Sequence, residues 1–324
     1  MEILKVNRKI RRDESYYRLS SFLSQVGGIE VKAIQKIKKS TVYLVKTSNQ
    51  KLILKKHSNK GNVLKQWGFF EKVNSPFINS FSHFPNGKLY LEEDEGVWTI
   101  AAYIIGEKLH YKNEQDRIKA VYCLKQFHKT ARNIHVNSRY LNTTPYLHRW
   151  YHRFHLFKET KPIFEAYNYR ELYTDIVKTT TLHLKRITQF PWQIYEEDAK
   201  HKGLWIHGDV AGHNFINNNN QHTTLIDFDL LQNTAPLYDY IQLGQRFLPY
   251  LNWDINKLLA YEMIAQQDQK AWLNAICIPV DMMREWLHFL KRNKNDNPIS
   301  ELVRMQDSWE KRQYFFNDMK IMLK

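Results

Sequence analysis

The sequence contains only two cysteines, Cys123 and Cys277, among its 324 residues. They do not have the CxxC spacing of a redox or zinc motif, and both lie in apolar surroundings. A disulfide-stabilised scaffold and a cysteine-based zinc site are therefore excluded. We expect two buried thiols that remain reduced, because disulfides are uncommon inside cells.

The chain also lacks an apolar run long enough to cross a bilayer. Its first residues, MEILKVNRKIRRDE, are charged and do not have the apolar centre of a secretory signal. We therefore expect a cytoplasmic protein without a membrane partner. Hydrophobic residues make up 43% of the sequence and aromatic residues 14%, which is typical of a folded globular protein.

Acidic residues are scarce relative to basic ones, and the formal net charge is +15. Residues 1–60 alone hold fifteen Lys or Arg and four acidic residues. Such a positive field favours anionic partners such as nucleotides, although a solvated basic surface explains most of these lysines. No zinc-finger, RRM, KH or bZIP signature is present, so nucleic-acid binding would rest on charge alone and is not expected.

Strand patterns dominate the first third of the chain and helical patterns dominate the rest. The predicted elements are a helix at 14–27, three strands within 31–57, a helix at 61–73, strands in GKLYLEE and GVWTIAAYII, and brief strand patterns at 204–216 and 222–228. This order predicts an α+β protein with two lobes. We expect an N-terminal lobe over 1–102, a hinge at 103–106 and a mostly helical lobe over 107–324.

The segments WIHGDVAGHNF and LIDFD contain oxygen-bearing side chains in a spacing suited to phosphoryl transfer. Asp209 is followed five residues later by Asn214, and a predicted hairpin leads to Asp227 at the end of an apolar strand. Phosphoryl transfer needs a carboxylate to accept the proton of the attacking hydroxyl, and oxygen ligands to hold Mg²⁺. We therefore predict that Asp209 is the base and that Asn214 and Asp227 are the magnesium ligands.

The stretch HGDVAGHNFI…TTLIDFDLLQNTAPLYDYIQL resembles the aminoglycoside phosphotransferase and choline kinase family, whose pattern is HGDxxxxN, then IDF or IDW, then a downstream Asp. The resemblance implies a protein-kinase-like fold that uses ATP and Mg²⁺. It implies that Asp209 is the catalytic base and that Asn214 and Asp227 bind the metal. His207 corresponds to a residue that supports the catalytic loop, and Asp239 to a buried aspartate that holds this loop in place.

Within this family the chain looks most like the bacterial spore-coat kinase-like proteins of the CotS type. The grounds are its length, the LKKH segment and a long aromatic-rich helical insert before the catalytic loop. The resemblance implies possible partners among spore-coat proteins and deposition on the coat.

The lysine that holds the nucleotide phosphates is expected to end the third strand. KLILKKH offers Lys55 and Lys56, which point to opposite faces of a strand. The family pattern selects Lys55, with Ile53 on the same face to cover the adenine and Lys56 turned to solvent. Glu71, the only acid between residues 57 and 91, is the candidate carboxylate partner of this lysine, although an exposed glutamate ending a helix explains it equally well.

The loop between the first two strands, KIKKSTVYL, contains no glycine, whereas the family usually has glycine there so that the backbone approaches phosphate closely. Ser40 is a candidate nucleotide contact in its place, as is Tyr103 in the hinge. Two interpretations remain open. Either nucleotide is held mainly by Lys55 and magnesium, or the fold has lost tight ATP binding and serves as a structural or assembly protein of the spore coat.

The charge of the predicted substrate side indicates what kind of acceptor the protein takes. Residues 146–186 hold eight Lys or Arg and four acidic residues, which disfavours a polycationic drug. A neutral or anionic small molecule with a hydroxyl group is more compatible. The sequence therefore predicts an ATP- and Mg²⁺-dependent phosphotransferase acting on such a hydroxyl.

Overall fold

The computed structural model describes residues 16–38, 41–94, 96–141, 144–145, 147–218, 222–292 and 297–323. The chain divides into two compact units. The N-terminal unit holds the described residues up to Glu107, together with His135–Leu141 and Ile216–Asp229. The C-terminal unit holds the described residues of Lys108–Ile134, Asn142–Phe215 and Leu230–Lys324.

An antiparallel sheet forms the centre of the N-terminal unit. Its strands are β1 (Ala33–Lys38), β2 (Val42–Lys46), β3 (Lys51–His57), β4 (Phe81–Ser82), β5 (Leu91–Glu93) and β6 (Gly96–Ala102). They run in the order β1-β2-β3-β6-β4, and β5 also pairs with β6. The predicted strands are confirmed, except that the strand in GKLYLEE is limited to β5, because a turn at Gly87 (φ +82°) occupies the start of that segment.

Alternation along β3 gives the sheet two different faces. Leu52 and Leu54 are buried in the main apolar cluster of this unit, with Leu23 of the helix α1 (residues 16–27). Lys55 therefore points to the opposite face. The next element is α2 (Lys60–Phe70). The Asn59 side chain caps α2 by accepting a hydrogen bond from Asn62 N at 3.0 Å.

The C-terminal unit is mostly helical. Its helices are α3 (Glu114–Thr130), α4 (His148–Lys158), α5 (Lys161–Ala166), α6 (Arg170–Ile187), α7 (Trp192–His201), α8 (Leu237–Phe247), α9 (Ile255–Leu259), α10 (Gln269–Ile276), α11 (Val280–Arg292) and α12 (Ile299–Met322). Helix α10 packs on α6 and α8, and α11 packs on α4 and α12. The predicted order of strand-rich and then helical segments is confirmed.

Residues 204–216, where brief strand character was predicted, contain two short strands separated by a loop. A short strand β8 (Trp205–Ile206) pairs with β11 (Gln232–Asn233), and a 3-10 turn over Gly212–Asn214 leads into β9 (Phe215–Asn217). The strand stops because Gly208 has φ +82°, a left-handed conformation that ends extended backbone. The two remaining short strands are β7 (Glu107–Lys108) and β10 (Thr223–Leu225).

Both cysteines are buried and free, as expected, and burial raises the pKa of Cys277 above its ordinary value. Across the described ranges, no helix combines the length and apolar character that crossing a bilayer requires.

Candidate active site

Asp239 is the centre of the hydrogen bonds that shape the loop after β8. Its side chain is fully buried. Oδ2 accepts hydrogen bonds from His207 N at 2.8 Å and from His128 Nε2 at 3.0 Å, and Oδ1 accepts one from Gly208 N at 2.9 Å. Burial of a carboxylate without partners costs several kcal/mol, so these donors are what stabilise it there. The contacts are those expected of an aspartate that holds the loop.

His207 contacts the backbone of the loop at Asp209. The imidazole is fully buried, and its Nδ1 accepts a hydrogen bond from Asp209 N at 3.2 Å. Its ring also lies edge-on to Phe127, with 6.4 Å between centroids. These contacts fix the imidazole against the loop backbone and α3.

Gly208 is required by its surroundings as well as by its backbone angles. A Cβ at this position would lie 2.3 Å from Leu230 O, which is far inside contact distance. The carbonyl of Gly208 accepts a hydrogen bond from Gln242 Nε2 at 3.1 Å. The HGD motif therefore has a glycine because any side chain would displace the loop.

Asp209 and Asn214, predicted to act together, are in direct contact. Asn214 Nδ2 donates to Asp209 O at 2.9 Å and to Asp209 Oδ2 at 3.1 Å. The other carboxylate oxygen, Oδ1, accepts a hydrogen bond from Arg246 Nη2 at 2.7 Å. The carboxylate is thus held from both sides, by an amide and by a guanidinium.

Sequence reasoning missed Arg246, on α8. Burial, and after it the charge of Arg284, lowers the pKa of Arg246, while Asp209 opposes the shift. The signal was available, because Arg246 lies seven residues after Asp239 and therefore on the same helical face.

In the N-terminal unit, Lys55 joins two carboxylates. Its Nζ lies 2.5 Å from Asp227 Oδ1 and 2.7 Å from Asp229 Oδ2. Burial disfavours the charged lysine, but the two carboxylates outweigh this effect and raise the pKa of Lys55. Lys55 and Asp227, both predicted site residues, are therefore brought together, and the ammonium remains charged.

Asp229 was also missed, although LIDFD shows a second carboxylate two positions after Asp227. Its Oδ1 is buried and accepts no hydrogen bond from any residue that the structure describes. The segment is anchored to α2, where Asn62 Nδ2 donates to Asp229 O at 3.0 Å. Phe228 packs against Phe69 and Phe70, at centroid distances of 6.5 and 5.3 Å.

Two predictions about the lysine pair are wrong. Glu71 is exposed at the C-terminal end of α2 and is not the partner of Lys55, whose ion pairs are with Asp227 and Asp229. Lys56 does not point to solvent, because its Nζ lies 2.8 Å from Glu93 Oε2 and 5.5 Å from the ring centroid of Trp98. Glu93 and Trp98 thus hold Lys56 against the face of the sheet that carries Leu52 and Leu54.

His57 lies on the face of β3 that carries Lys55, and it is the third residue, after Arg246 and Asp229, that sequence reasoning missed. Its Nε2 lies 2.9 Å from Thr99 Oγ1, and its Nδ1 lies 3.6 Å from Asp229 Oδ1. Burial, and next the charge of Lys55, lowers the pKa of His57 to about 4, so the ring is neutral at pH 7.

The other predicted nucleotide contacts also belong to the N-terminal unit. Ile53 is half-buried on the face of β3 that carries Lys55. Tyr103 is 37% exposed, and its backbone N donates to Lys51 O at 3.1 Å. Ser40 lies outside the described residues.

The chain was compared with known protein families, sequences and structures. Residues 30–261 match the sequence profile of the phosphotransferase enzyme family. No curated protein sequence matches the chain significantly.

Solved structures show a likeness in fold. An aminoglycoside phosphotransferase from Alicyclobacillus acidocaldarius is 16% identical with a TM-score of 0.67, covering 90% of this chain and 93% of its own. A spectinomycin phosphotransferase, solved with ADP and spectinomycin, is 14% identical with a TM-score of 0.60, covering 93% and 94%. A choline kinase from Streptococcus pneumoniae is 13% identical with a TM-score of 0.54, covering 91% and 97%. The predicted kinase-like fold is confirmed.

Proposed function

The chain belongs to the phosphotransferase enzyme family, and on that premise we propose that it transfers the γ-phosphate of ATP to a hydroxyl group of a small molecule. The observation that carries the proposal is the Asp209 carboxylate, bonded to Arg246 and Asn214 in a loop that the buried Asp239 holds. A general base has to be oriented before substrate arrives, and these contacts supply that orientation.

In the proposed reaction the acceptor oxygen attacks the γ-phosphorus, and the bond from this phosphorus to the β–γ bridging oxygen breaks. The proton of the acceptor hydroxyl passes to the Asp209 carboxylate. The guanidinium of Arg246 keeps that carboxylate in place, and His207 fixes the backbone that carries it.

Lys55 is the proposed ligand of the nucleotide phosphates, with Ile53 and Tyr103 beside the base. Asn214 and Asp227 are the proposed magnesium ligands, and Asp229 joins them through its unsatisfied oxygen. Oxygen donors fit a hard cation that takes one or two carboxylates and completes its shell with phosphates and water. Bound magnesium would neutralise charge on the phosphates. ADP in the spectinomycin phosphotransferase structure supports a nucleotide role for this fold.

Thermal unfolding with Mg-ATP, followed by an assay of ADP release, tests the proposal. Mg-ATP is expected to raise the Tm of the wild-type protein, because a ligand of the folded state stabilises it. Asp209→Asn is expected to keep this Tm shift and to lose turnover by about 100-fold or more, the usual contribution of a general base. Asp198→Asn, which alters an exposed residue of α7, is the matched control. Unchanged turnover in Asp209→Asn would contradict the assignment.

A second proposal is a spore-coat protein of the same fold without turnover. It is favoured by the segment KIKKSTVYL, which has no glycine where backbone would approach phosphate. Under this proposal Asp209→Asn leaves coat assembly unchanged, as seen by electron microscopy of spores. A folded Asp209→Asn protein that fails to assemble would contradict it.

A further inference from the structure

A cavity of about 480 Å³ opens in the C-terminal unit beside the loop that carries Asp209. Its wall includes Ala211, Gly212 and His213 of that loop, and residues of α8, α11 and α12. Arg246 lines the cavity and also bonds to Asp209, so this one side chain connects the cavity wall to the proposed base. The volume is within the range of small-molecule sites. We call it the α8–α11–α12 cavity.

Positive charge predominates on the wall. The cationic side chains are Lys108, Arg246, Arg284, Arg304 and Arg312, and the carboxylates are Asp281 and Glu285. A cation entering this cavity would meet more like charge than opposite charge.

Both carboxylates of the wall are already engaged. Asp281 receives two hydrogen bonds from Arg312, at 2.5 and 3.2 Å. Burial alone would raise the pKa of Asp281, but the guanidinium of Arg312 holds it below its usual value. Glu285 Oε2 accepts a hydrogen bond from Arg304 Nη1 at 3.0 Å. Neither carboxylate is left to bind a cationic ligand.

Arg284 differs from the other arginines of the cavity. No carboxylate in the described part of the chain lies within ion-pair distance of it, whereas Arg246 and Arg312 each have one and Arg304 has two. Its charge lowers the pKa of Arg246 and His288, after the larger effect of burial in each, and it adds to the effect of Arg312 in lowering the pKa of Asp281. A negative group beside Arg284 would relieve this repulsion.

We propose that the hydroxyl-bearing substrate also carries a carboxylate or phosphate group, which Arg284 binds in the α8–α11–α12 cavity. The inference rests on the proposed function, because it treats the cavity as the acceptor site. A planar guanidinium binds either anion with paired hydrogen bonds. The expected acceptor differs in charge from choline, the cation acted on by a kinase of the same fold.

Thermal unfolding with four probes tests the charge preference. Glycerate and glycerol 3-phosphate carry a carboxylate and a phosphate, glycerol is neutral, and choline is cationic. The two anions are expected to raise the Tm and glycerol and choline are not, and comparison of the anions shows which group is preferred. Equal shifts with glycerol, or a larger shift with choline, would overturn the proposal.

Variants of α11 assign the effect to the cavity. Arg284→Gln is expected to weaken binding of the preferred anion by roughly 10- to 100-fold, the loss typical of a hydrogen bond to a charged group. Arg284→Lys is expected to retain part of the affinity for the anion. Arg292→Gln, at the exposed end of the same helix, is expected to leave that affinity unchanged. Stabilisation that persists in Arg284→Gln would place the anion elsewhere and overturn the proposal.

The same variants separate the two proposals in an ADP-release assay. An anion that binds through Arg284 without any ADP release would contradict the phosphotransferase and leave the anion site standing. Efficient turnover of glycerol or choline that is insensitive to Arg284→Gln would contradict the anion site and leave the phosphotransferase standing.

Discussion

Asp239 and Asp227 are aspartates twelve positions apart with opposite surroundings. Asp239 is fully buried, and both its oxygens accept hydrogen bonds from the loop or from His128. The side chain of Asp227 is 40% exposed and is paired with Lys55. The first carboxylate is satisfied by the fold, whereas the second keeps access to solvent. The difference separates a residue that builds the loop from one that can bind a ligand.

The backbone shows the same contrast. Asp239 lies in the first turn of α8, in ordinary helical conformation. Asp227 has φ +65°, in the left-handed region that non-glycine residues adopt infrequently and that aspartate and asparagine adopt more readily than most. The two residues that follow are anchored, because Phe228 packs against Phe70 and Asn62 donates a hydrogen bond to Asp229 O. The Asp227 carboxylate is thus paired with Lys55 and partly exposed, in a segment whose next two residues are anchored.

The largest loss of folding stability is expected when the buried Asp239 is replaced. Asp239→Ala should lower the free energy of unfolding by about 3–5 kcal/mol, because the buried donors around it lose their acceptor. Urea unfolding measures the loss. Asp239→Asn, which keeps one acceptor oxygen, should lose less. Asp198→Ala, in an exposed position, should stay within about 0.5 kcal/mol of the wild type. A loss in Asp239→Ala no greater than in Asp198→Ala would show that Asp239 does not hold the loop.

A smaller loss of folding stability is expected when the pH is lowered, because His57, beside Lys55 and Asp229, then takes up a proton. The folded pKa of His57 is about 4, below the ordinary 6.5, so the unfolded chain takes up a proton first as the pH falls. The contribution of this ring is complete above pH 6.5 and decreases toward pH 4, by up to about 3 kcal/mol. Lys55, Asp227, Asp229 and Thr99 are the groups that surround it.

Urea unfolding as a function of pH measures this dependence. His57→Gln should reduce its slope between pH 6.5 and 4, whereas His201→Gln, which alters an exposed histidine of α7, should leave it unchanged. The same slope in both variants would mean that His57 does not titrate with folding.

The smallest effect on stability is expected at Asp227. Asp227→Asn should change the free energy of unfolding by less than about 1 kcal/mol, because asparagine tolerates positive φ and Lys55 keeps its ion pair with Asp229. It should nevertheless abolish or greatly reduce the Tm shift with Mg-ATP. A large loss of stability without loss of nucleotide binding would reverse the contrast with Asp239.

Much of the fold follows from local pattern. Alternation in KLILKKH predicted that Lys55 and Ile53 share a face, and β3 confirms it. The brief strand pattern over 204–216 is confirmed only at its two ends, because periodicity does not report the left-handed backbone of Gly208 or the carboxylate that accepts a hydrogen bond from its amide. The strand is interrupted where Gly208 N donates its hydrogen bond to the side chain of Asp239, 31 positions further along the chain, and not to a neighbouring strand.

The candidate site divides in the same way. HGDVAGHN and LIDFD contain the residue types and spacing of the proposed chemistry, since neighbours along a loop remain neighbours in space. The partners of those residues were not predictable in this manner. Lys55 bonds to carboxylates more than 170 positions away, in place of the expected Glu71, and Arg246 reaches Asp209 across 37 positions. Motifs and strand faces depend on local covalent geometry, whereas charge partners and burial depend on how distant segments pack. That packing buried Asp239 completely and left Arg284 without an ion pair among the described residues.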